Sequence, residues 1–168
     1  MGGAIRLCPF WYQEVVMKFP TVTGSNLSGK RYNLPQDFEG QYNIVVVVYQ
    51  RFQQSSVDTW GALLEQLARQ YPDLRYYELP TLPNYGWLQK NIIDGGMRGG
   101  IPDNTVRSRT ITLYIDVNKF NASLNLATLN DIYVLVTDRQ GEVMWQTNGI
   151  CTAPKADALS QKLAELFA

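Results

Sequence analysis

Four consecutive valines, Val45 to Val48, sit in the run "NIVVVVYQ" at residues 43–50. A strand with no polar alternation has no face for water, so this run predicts a central strand of a mainly parallel sheet. A short polar loop follows. Then Trp60, Leu63, Leu64, Leu67, Ala68 and Tyr71 recur at helical spacing and form one apolar face, which Pro72 ends. "LRYYEL" at 74–79 reads as the next strand. Strand, helix and strand in this order make a right-handed crossover unit.

The pattern on either side completes a layout. In "FPTVTGSNLSGKRYNLPQDF", Gly24 and Gly29 mark turns and "KRYNL" a short strand, so a small hairpin leads into the domain. Residues 84–94 read as a helix with Tyr85, Leu88 and Ile92 on one face. Gly95, Gly96, Gly99 and Gly100 then oppose its continuation, since glycine is a poor helix former. "TITLYID" at 110–116 alternates and is β-branched, which predicts a strand, and a turn of helix can follow in 117–126. "IYVLVTD" and "EVMWQT" flank Arg139-Gln140-Gly141, the signature of a tight antiparallel hairpin. A final helix at 154–167 turns Leu159, Leu163 and Leu166 inward. The expected architecture is a three-layer α/β/α sandwich whose central mixed sheet is closed by an antiparallel hairpin and a C-terminal helix. The expected division is an N-terminal arm or short helix at 1–18, rich in aromatics, and a domain at 19–168 with an insertion at about 80–131.

Composition narrows the function. The 168 residues suffice for one domain with a proper core, and 45% hydrophobic with 18% charged residues is a globular balance. Fifteen basic residues offset fifteen acidic ones, so no electrostatic case for nucleic-acid binding exists. The chain contains no histidine. That excludes Ser-His and Cys-His nucleophile pairs and every histidine-ligated metal site. No metal and no cofactor is expected. Cys8 and Cys151 form no Cys-x-x-Cys motif; they read as two free thiols, with a single disulfide as the alternative. No run approaches the length of a membrane helix, and the first residues fit neither a signal peptide nor a transit peptide nor a myristoylation site. A cytoplasmic or organelle-matrix location is expected.

The junction after the valine strand is the first candidate site, because open α/β sheets bind ligands at the carboxyl ends of their strands. Nothing in it reacts: it holds Gln54, Ser55, Ser56 and Val57. Ser55 or Ser56 is expected to cap the helix, Ser55 having the Ser-x-x-Asp spacing with Asp58. The glycine-rich stretch "GGMRGGIPDNTVRSR" offers backbone N–H groups beside Arg98, Arg107 and Arg109, an arrangement that can hold an anion or an acidic partner, though it is no P-loop. The aromatics Phe10, Trp11, Tyr12, Tyr85 and Trp87 suit either a core or an interface. A partner is expected to dock across Arg51, Phe52, Gln54 and Trp87, with Arg98 or Arg109 meeting an acidic group. Cys151, in "TNGICTAP", reads as an ordinary small buried residue.

Three stretches carry a family resemblance. "IVVVVYQ" through "GALLEQLARQYPDLRYYEL", "TLYIDVNKFNASLNL" and "DIYVLVTDRQGEVMWQTNG" resemble the central strand and helix, the inserted strand and the closing hairpin of thioredoxin-like proteins of the peroxiredoxin and thiol-oxidoreductase type. The resemblance implies their fold over residues 19–167. Two redox features are missing. Aligned without gaps, the Cys-x-x-Cys falls on Gln54-Ser55-Ser56-Val57, and the position of the cis-proline before the hairpin strand falls near Ile132, in "LNDIY". One subgroup of this fold also lacks them: the assembly factors for the membrane sector of mitochondrial ATP synthase. The chain is similar to these in "FPTVTGSNLSGKRYNLP", in "GMRGGI" and in the hairpin ending at Gly149. That narrower resemblance implies a non-catalytic, chaperone-like protein that binds a subunit of a membrane complex, works beside an energy-coupling membrane and has no catalytic residue. The alternatives are an oxidoreductase of the same fold using Cys8 or Cys151, and a small-anion carrier using the Arg98–Arg109 region.

Overall fold

The computed structural model describes residues 16–168. In chain order it contains strands β1 (Val22–Asn26) and β2 (Arg31–Leu34), β3 (Tyr42–Val48), helix α1 (Gln54–Gln70), β4 (Leu74–Leu82), α2 (Trp87–Gly100), α3 (Asn104–Arg109), β5 (Ile111–Tyr114), α4 (Val117–Ser123), β6 (Tyr133–Asp138), β7 (Val143–Asn148) and α5 (Ala153–Leu166). A single 3₁₀ turn, Arg51–Gln53, leads into α1. Residues 1–15 of the expected N-terminal arm, with Cys8, lie outside the described residues; its last residues run along β7, the Val143 amide donating to the Met17 oxygen, and lead to Phe19, buried with its ring edge-on to Phe38 and Phe120.

The seven strands form one sheet in the order β2-β1-β5-β4-β3-β6-β7. Its centre is parallel, β3 with β4 and β4 with β5, and both flanks are antiparallel. The valine strand is therefore interior but not all-parallel: it lies between parallel β4 and antiparallel β6, with Val47 opposite both Leu79 and Tyr133. Both neighbours bury it, which is what a run of valines requires.

Alternation sorts the core into two layers. Val45, Val47 and Tyr49 join Tyr77, Leu79, Tyr133 and Leu135 beneath α4 and the Phe19–Phe38 segment. Ile44, Val46 and Val48 join Ile132, Val134 and Val136 against Val57, Trp60, Leu64 and Leu67 of α1 and Leu159 and Leu163 of α5. The helix faces expected on α1 and α5 are those that pack inward, but the face expected on α2 is not: Leu88 and Ile92 are exposed. One interior position needs glycine for space: a Cβ on Gly24 would sit 2.6 Å from the Thr112 carbonyl oxygen, so β1 reaches β5 only without a side chain there.

The glycine-rich stretch departs from expectation. It does not turn; α2 runs through Gly95, Gly96, Gly99 and Gly100 to its end. Four glycines disfavour a helix by roughly 1 kcal/mol each relative to alanine. Side-chain bonds between α2 and the rest of the domain work against this cost. Tyr114 Oη donates to Asp94 Oδ1 at 2.6 Å, Arg98 Nε to the Leu27 oxygen at 3.0 Å, and an Arg107 guanidinium nitrogen to the Arg98 oxygen at 2.7 Å. A further short helix, α3, follows with Asp103 as its N-cap, a helix the hydrophobic pattern does not announce.

Candidate docking site at the start of α1

Strand directions bring five segments to one edge of the sheet. β3, β4 and β5 end there, β6 begins there beside Val47, and β7 ends there with Asn148 opposite Tyr133. The start of α1 stands in the middle of this edge.

Gln53 organises it. The side chain is buried at 3% exposure. Its Oε1 accepts from the amides of Tyr49 at 2.8 Å and Gln50 at 3.1 Å, and its Nε2 donates to the carbonyl oxygen of Leu129 at 2.8 Å. One amide thus satisfies backbone groups at the end of β3 and in the segment before β6, 76 residues away. Nearby, Trp60 Nε1 donates to the Gly149 oxygen at 2.9 Å, fixing the segment after β7 to α1. Sequence reading missed Gln53. The available signal was the spacing of three between Gln50 and Gln53, which suits a glutamine reaching back to an N-cap amide.

The serines do not cap. The 3₁₀ turn places Gln53 at the N-cap of α1, and Ser55 and Ser56 fall inside the first turn. Ser55 Oγ donates back to the Phe52 carbonyl oxygen at 3.4 Å. The early turn shifts the start by two residues: Gln53 stands at the N-cap without a side-chain capping bond, and the Gln54 amide donates to the Arg51 oxygen of the 3₁₀ turn.

What remains at the surface is unreactive. Phe52 is 69% exposed; the exposed Leu129 comes from the segment that Gln53 ties to the helix start, and the exposed Ile150 from the segment that Trp60 ties to the second turn of α1. Arg51 and Gln54 are exposed, Gln54 donating to Asp58 Oδ1 at 3.1 Å. Trp87, expected beside them, is the first residue of α2. Adjoining this surface is an open cleft of about 560 Å³, walled by Tyr49, Gln50 and Leu129, by the segment from Thr81 to Tyr85, and by the segment from Ile115 to Asn118. Its position at the carboxyl ends of parallel strands is where α/β sheets take ligands.

The arginines expected to face an acidic partner are engaged within the fold. Arg98 holds the Leu27 oxygen. Arg109 pairs with Glu65 of α1 at 3.0 Å and lies 4.2 Å over the ring of Tyr76, whose hydroxyl also bonds Glu65. The Tyr76 hydrogen bond first, and the Arg109 charge with it, hold the Glu65 carboxyl below its usual range. Glu78 goes the other way, pushed up by burial first and by the neighbouring Asp58 charge second. This array joins α3, β4 and α1 and forms no open anion site.

Cys151 is half-buried against the α1–α5 layer, and its amide donates to Thr59 Oγ1 at 2.9 Å. It thus lies beside the second turn of α1, away from the electropositive helix start. Burial pushes its thiol up, which lowers the thiolate fraction that exchange chemistry needs. Among the described residues no group of three or more acidic, cysteine or histidine side chains is placed to hold a metal.

A mixed sheet with crossover β3-α1-β4, a closing hairpin and a final helix defines the thioredoxin-like class, and solved structures of that class superpose on the chain. BsSco, a member of the Sco family of cytochrome c oxidase assembly proteins, matches with a TM-score of 0.60 at 12% identity, over 89% of this chain and 94% of that one. The pneumococcal exposed lipoprotein thioredoxin of Streptococcus pneumoniae matches with a TM-score of 0.56 at 15% identity, over 87% and 99%. The thioredoxin domain of a thiol-disulfide oxidoreductase from Bacteroides vulgatus matches with a TM-score of 0.53 at 14% identity, over 86% and 94%. At such identities the likeness is one of fold. No curated protein sequence matches the chain. The sequence profile of the ATP10 protein family matches residues 3–166, and the chain belongs to that family.

Proposed function

We propose that the chain is a non-catalytic thioredoxin-like binding protein that assists assembly of ATP synthase, acting as a chaperone for a subunit of its membrane sector. Membership of the ATP10 protein family supports the assembly role. The observation that carries the non-catalytic part is Gln53: just ahead of Gln54 to Val57, the positions aligned with the cysteine pair of thiol enzymes of this fold, a buried amide bonded on both sides fixes the helix start. A partner docks across Arg51, Phe52 and Gln54, with Leu129 and Ile150 at its margin. An exposed aromatic beside an arginine is the composition of an interface anchor. No helix among the described residues is long and apolar enough to cross a membrane, so the reading places the protein peripherally, on the matrix side of the energy-coupling membrane.

The test is complementation. In cells lacking the protein, a Cys8→Ser, Cys151→Ser chain is expected to restore assembled ATP synthase, and a chain carrying Arg51→Glu with Phe52→Ala is not, at equal abundance. Restoration by the second and failure of the first would reverse the reading toward a redox enzyme.

A further inference from the structure

β4 runs past the end of β3. Val48, the last residue of β3, pairs with Pro80, and β4 then continues to Leu82 beside β5, Thr81 opposite Leu113 and Leu82 opposite Tyr114. The chain after β3 turns off at Gln50 into the 3₁₀ turn, and the open cleft of about 560 Å³ lies over the extended end of β4. Its walls are fixed by bonds. Tyr49 Oη donates to Asn121 Oδ1 at 2.7 Å, the Ile115 amide to the Leu82 oxygen at 3.0 Å, and the Tyr85 amide to the Pro83 oxygen at 2.8 Å. Charge in the cleft has one sign. Asp116 is the single carboxylate among the lining residues, and no lysine or arginine lines the cleft with it. Beside it stand the side-chain amides of Gln50, Asn84 and Asn118 and the rings of Tyr49 and Tyr85. Asp116 Oδ1 caps α4 by accepting the Lys119 amide at 3.1 Å, which leaves Oδ2 for another donor. None of the ion pairs among the described residues includes Asp116.

We propose that this cleft seats an arginine side chain of the protein partner that docks at the helix start; the assignment rests on that docking and names the chemistry the partner brings. Charge complementarity selects the occupant. A phosphate or an acidic peptide would meet a carboxylate and no cation. An uncharged apolar ligand would shut that carboxylate away from water with no partner, which is costly. A divalent metal takes several oxygen ligands, and one carboxylate is too few. A guanidinium answers all the groups together. Its planar fork pairs with a carboxylate, its remaining N–H groups suit the side-chain oxygens of the three amides, and its flat face stacks on a tyrosine ring. The apolar stem finds Leu82 and Pro83 in the same wall. A volume inside the roughly 300–1,000 Å³ of small-ligand sites holds such a side chain with the backbone next to it. Leu129 belongs to both places: it lines the cleft, and its carbonyl oxygen takes the Gln53 Nε2 bond at the helix start. The sign is the reverse of the acidic partner that Arg98 and Arg109 suggest in the sequence, because both of those arginines are engaged within the fold.

The test uses the full isotope-labelled chain and two capped tripeptides, acetyl-Gly-Arg-Gly-amide and its citrulline counterpart, which keeps the side-chain shape and drops the charge. The arginine peptide is expected to shift the backbone amide resonances of Tyr85, Asn118 and Leu129 saturably, and the citrulline peptide to bind roughly tenfold more weakly. Asp116→Asn should weaken the arginine peptide by a similar factor and erase its advantage over citrulline. That variant removes charge and spares the fold, because asparagine caps a helix as well as aspartate and keeps an oxygen for the Lys119 amide. The Arg51→Glu, Phe52→Ala chain should bind the arginine peptide at least as well as the parent, since both changes lie outside the cleft lining. Absence of a saturable shift, equal binding of the two peptides, or unchanged binding by Asp116→Asn overturns the assignment and leaves the helix-start docking standing. Tighter binding of free arginine than of the capped peptide overturns it in favour of a small-molecule carrier. Arginine-peptide binding in a protein whose Arg51→Glu, Phe52→Ala variant still restores ATP synthase would instead remove the docking at the helix start.

Discussion

The side-chain nitrogen of Gln53 donates to the carbonyl oxygen of Leu129 at 2.8 Å, while the oxygen of the same amide takes the backbone N–H of Tyr49. The start of α1 is therefore bonded to strand ends on both sides through a single neutral group. Removing it leaves buried backbone donors and an acceptor without partners. Gln53→Ala is expected to lower stability by about 2–3 kcal/mol, since each buried unsatisfied group carries its desolvation penalty. Urea denaturation checks the size, and hydrogen exchange at the Tyr49 and Gln50 amides checks the place. A loss under half a kilocalorie would mean that water replaces the amide.

Two carboxylates, Glu65 of α1 and Glu78 of β4, give the protein opposite pH responses. Glu78 has its pKa raised by burial first and by the Asp58 charge second, so it holds its proton longer than a free carboxyl. A carboxyl with a folded pKa above its unfolded value is most favourable to the fold below the unfolded value, and that contribution drains away as pH rises through the folded value. Glu78→Gln is therefore expected to stabilise at neutral pH and to make little difference in mild acid. Glu65 is depressed, by the Tyr76 hydrogen bond first, so its contribution stands above its unfolded pKa and is lost as pH falls. Glu65→Gln should cost stability at neutral pH and little in acid. Melting temperatures across the acid-to-neutral range distinguish the two; parallel curves would deny both assignments.

Two glycine substitutions should move stability in opposite directions. Gly24→Ala drives a methyl group into the Thr112 oxygen and the Leu113 side chain, and separates β1 from β5. A loss of about 1–3 kcal/mol follows from overpacking. Gly99→Ala meets nothing within 4 Å on a helix and should gain up to about 1 kcal/mol from propensity. Guanidinium denaturation midpoints of both, measured against the parent, decide this.

Cys151 should be a sluggish thiol. Burial raises its pKa, so iodoacetamide should modify it in the native protein several-fold more slowly than a free cysteine at the same pH, with the rates converging on unfolding. Insulin reduction and peroxide consumption should stay at background. Rapid turnover that vanishes with Cys151→Ser would make this a one-cysteine redox enzyme.

The chain announces some of this and hides the rest, for physical reasons. β3 and α1 are legible because their signal is local: a valine run needs two neighbours, and the Trp60–Leu64–Leu67 spacing needs one buried face. The closing hairpin is legible through Arg139-Gln140-Gly141, where Gly141 takes the positive φ of 87° that the turn requires. α2 misleads because its helix survives on contacts with Tyr114, Leu27 and Arg107, which no window of sequence displays. Ser55 is a reasonable cap by composition, but a 3₁₀ turn ahead of it moves the boundary. Gln53 is invisible for the same kind of reason: its meaning lies in Leu129. Arg98 and Arg109 read as free cations until their partners in the fold are seen.

The way α2 is attached sets how it moves. Among the described residues, none of its side chains belongs to either buried layer, and its ties to the body are hydrogen bonds and one cation–ring contact. Opening of α2 would therefore leave the two buried layers in place, which makes this helix a candidate for local opening ahead of the sheet. Its amides should exchange with solvent well before those of α1, and salt should hasten that opening.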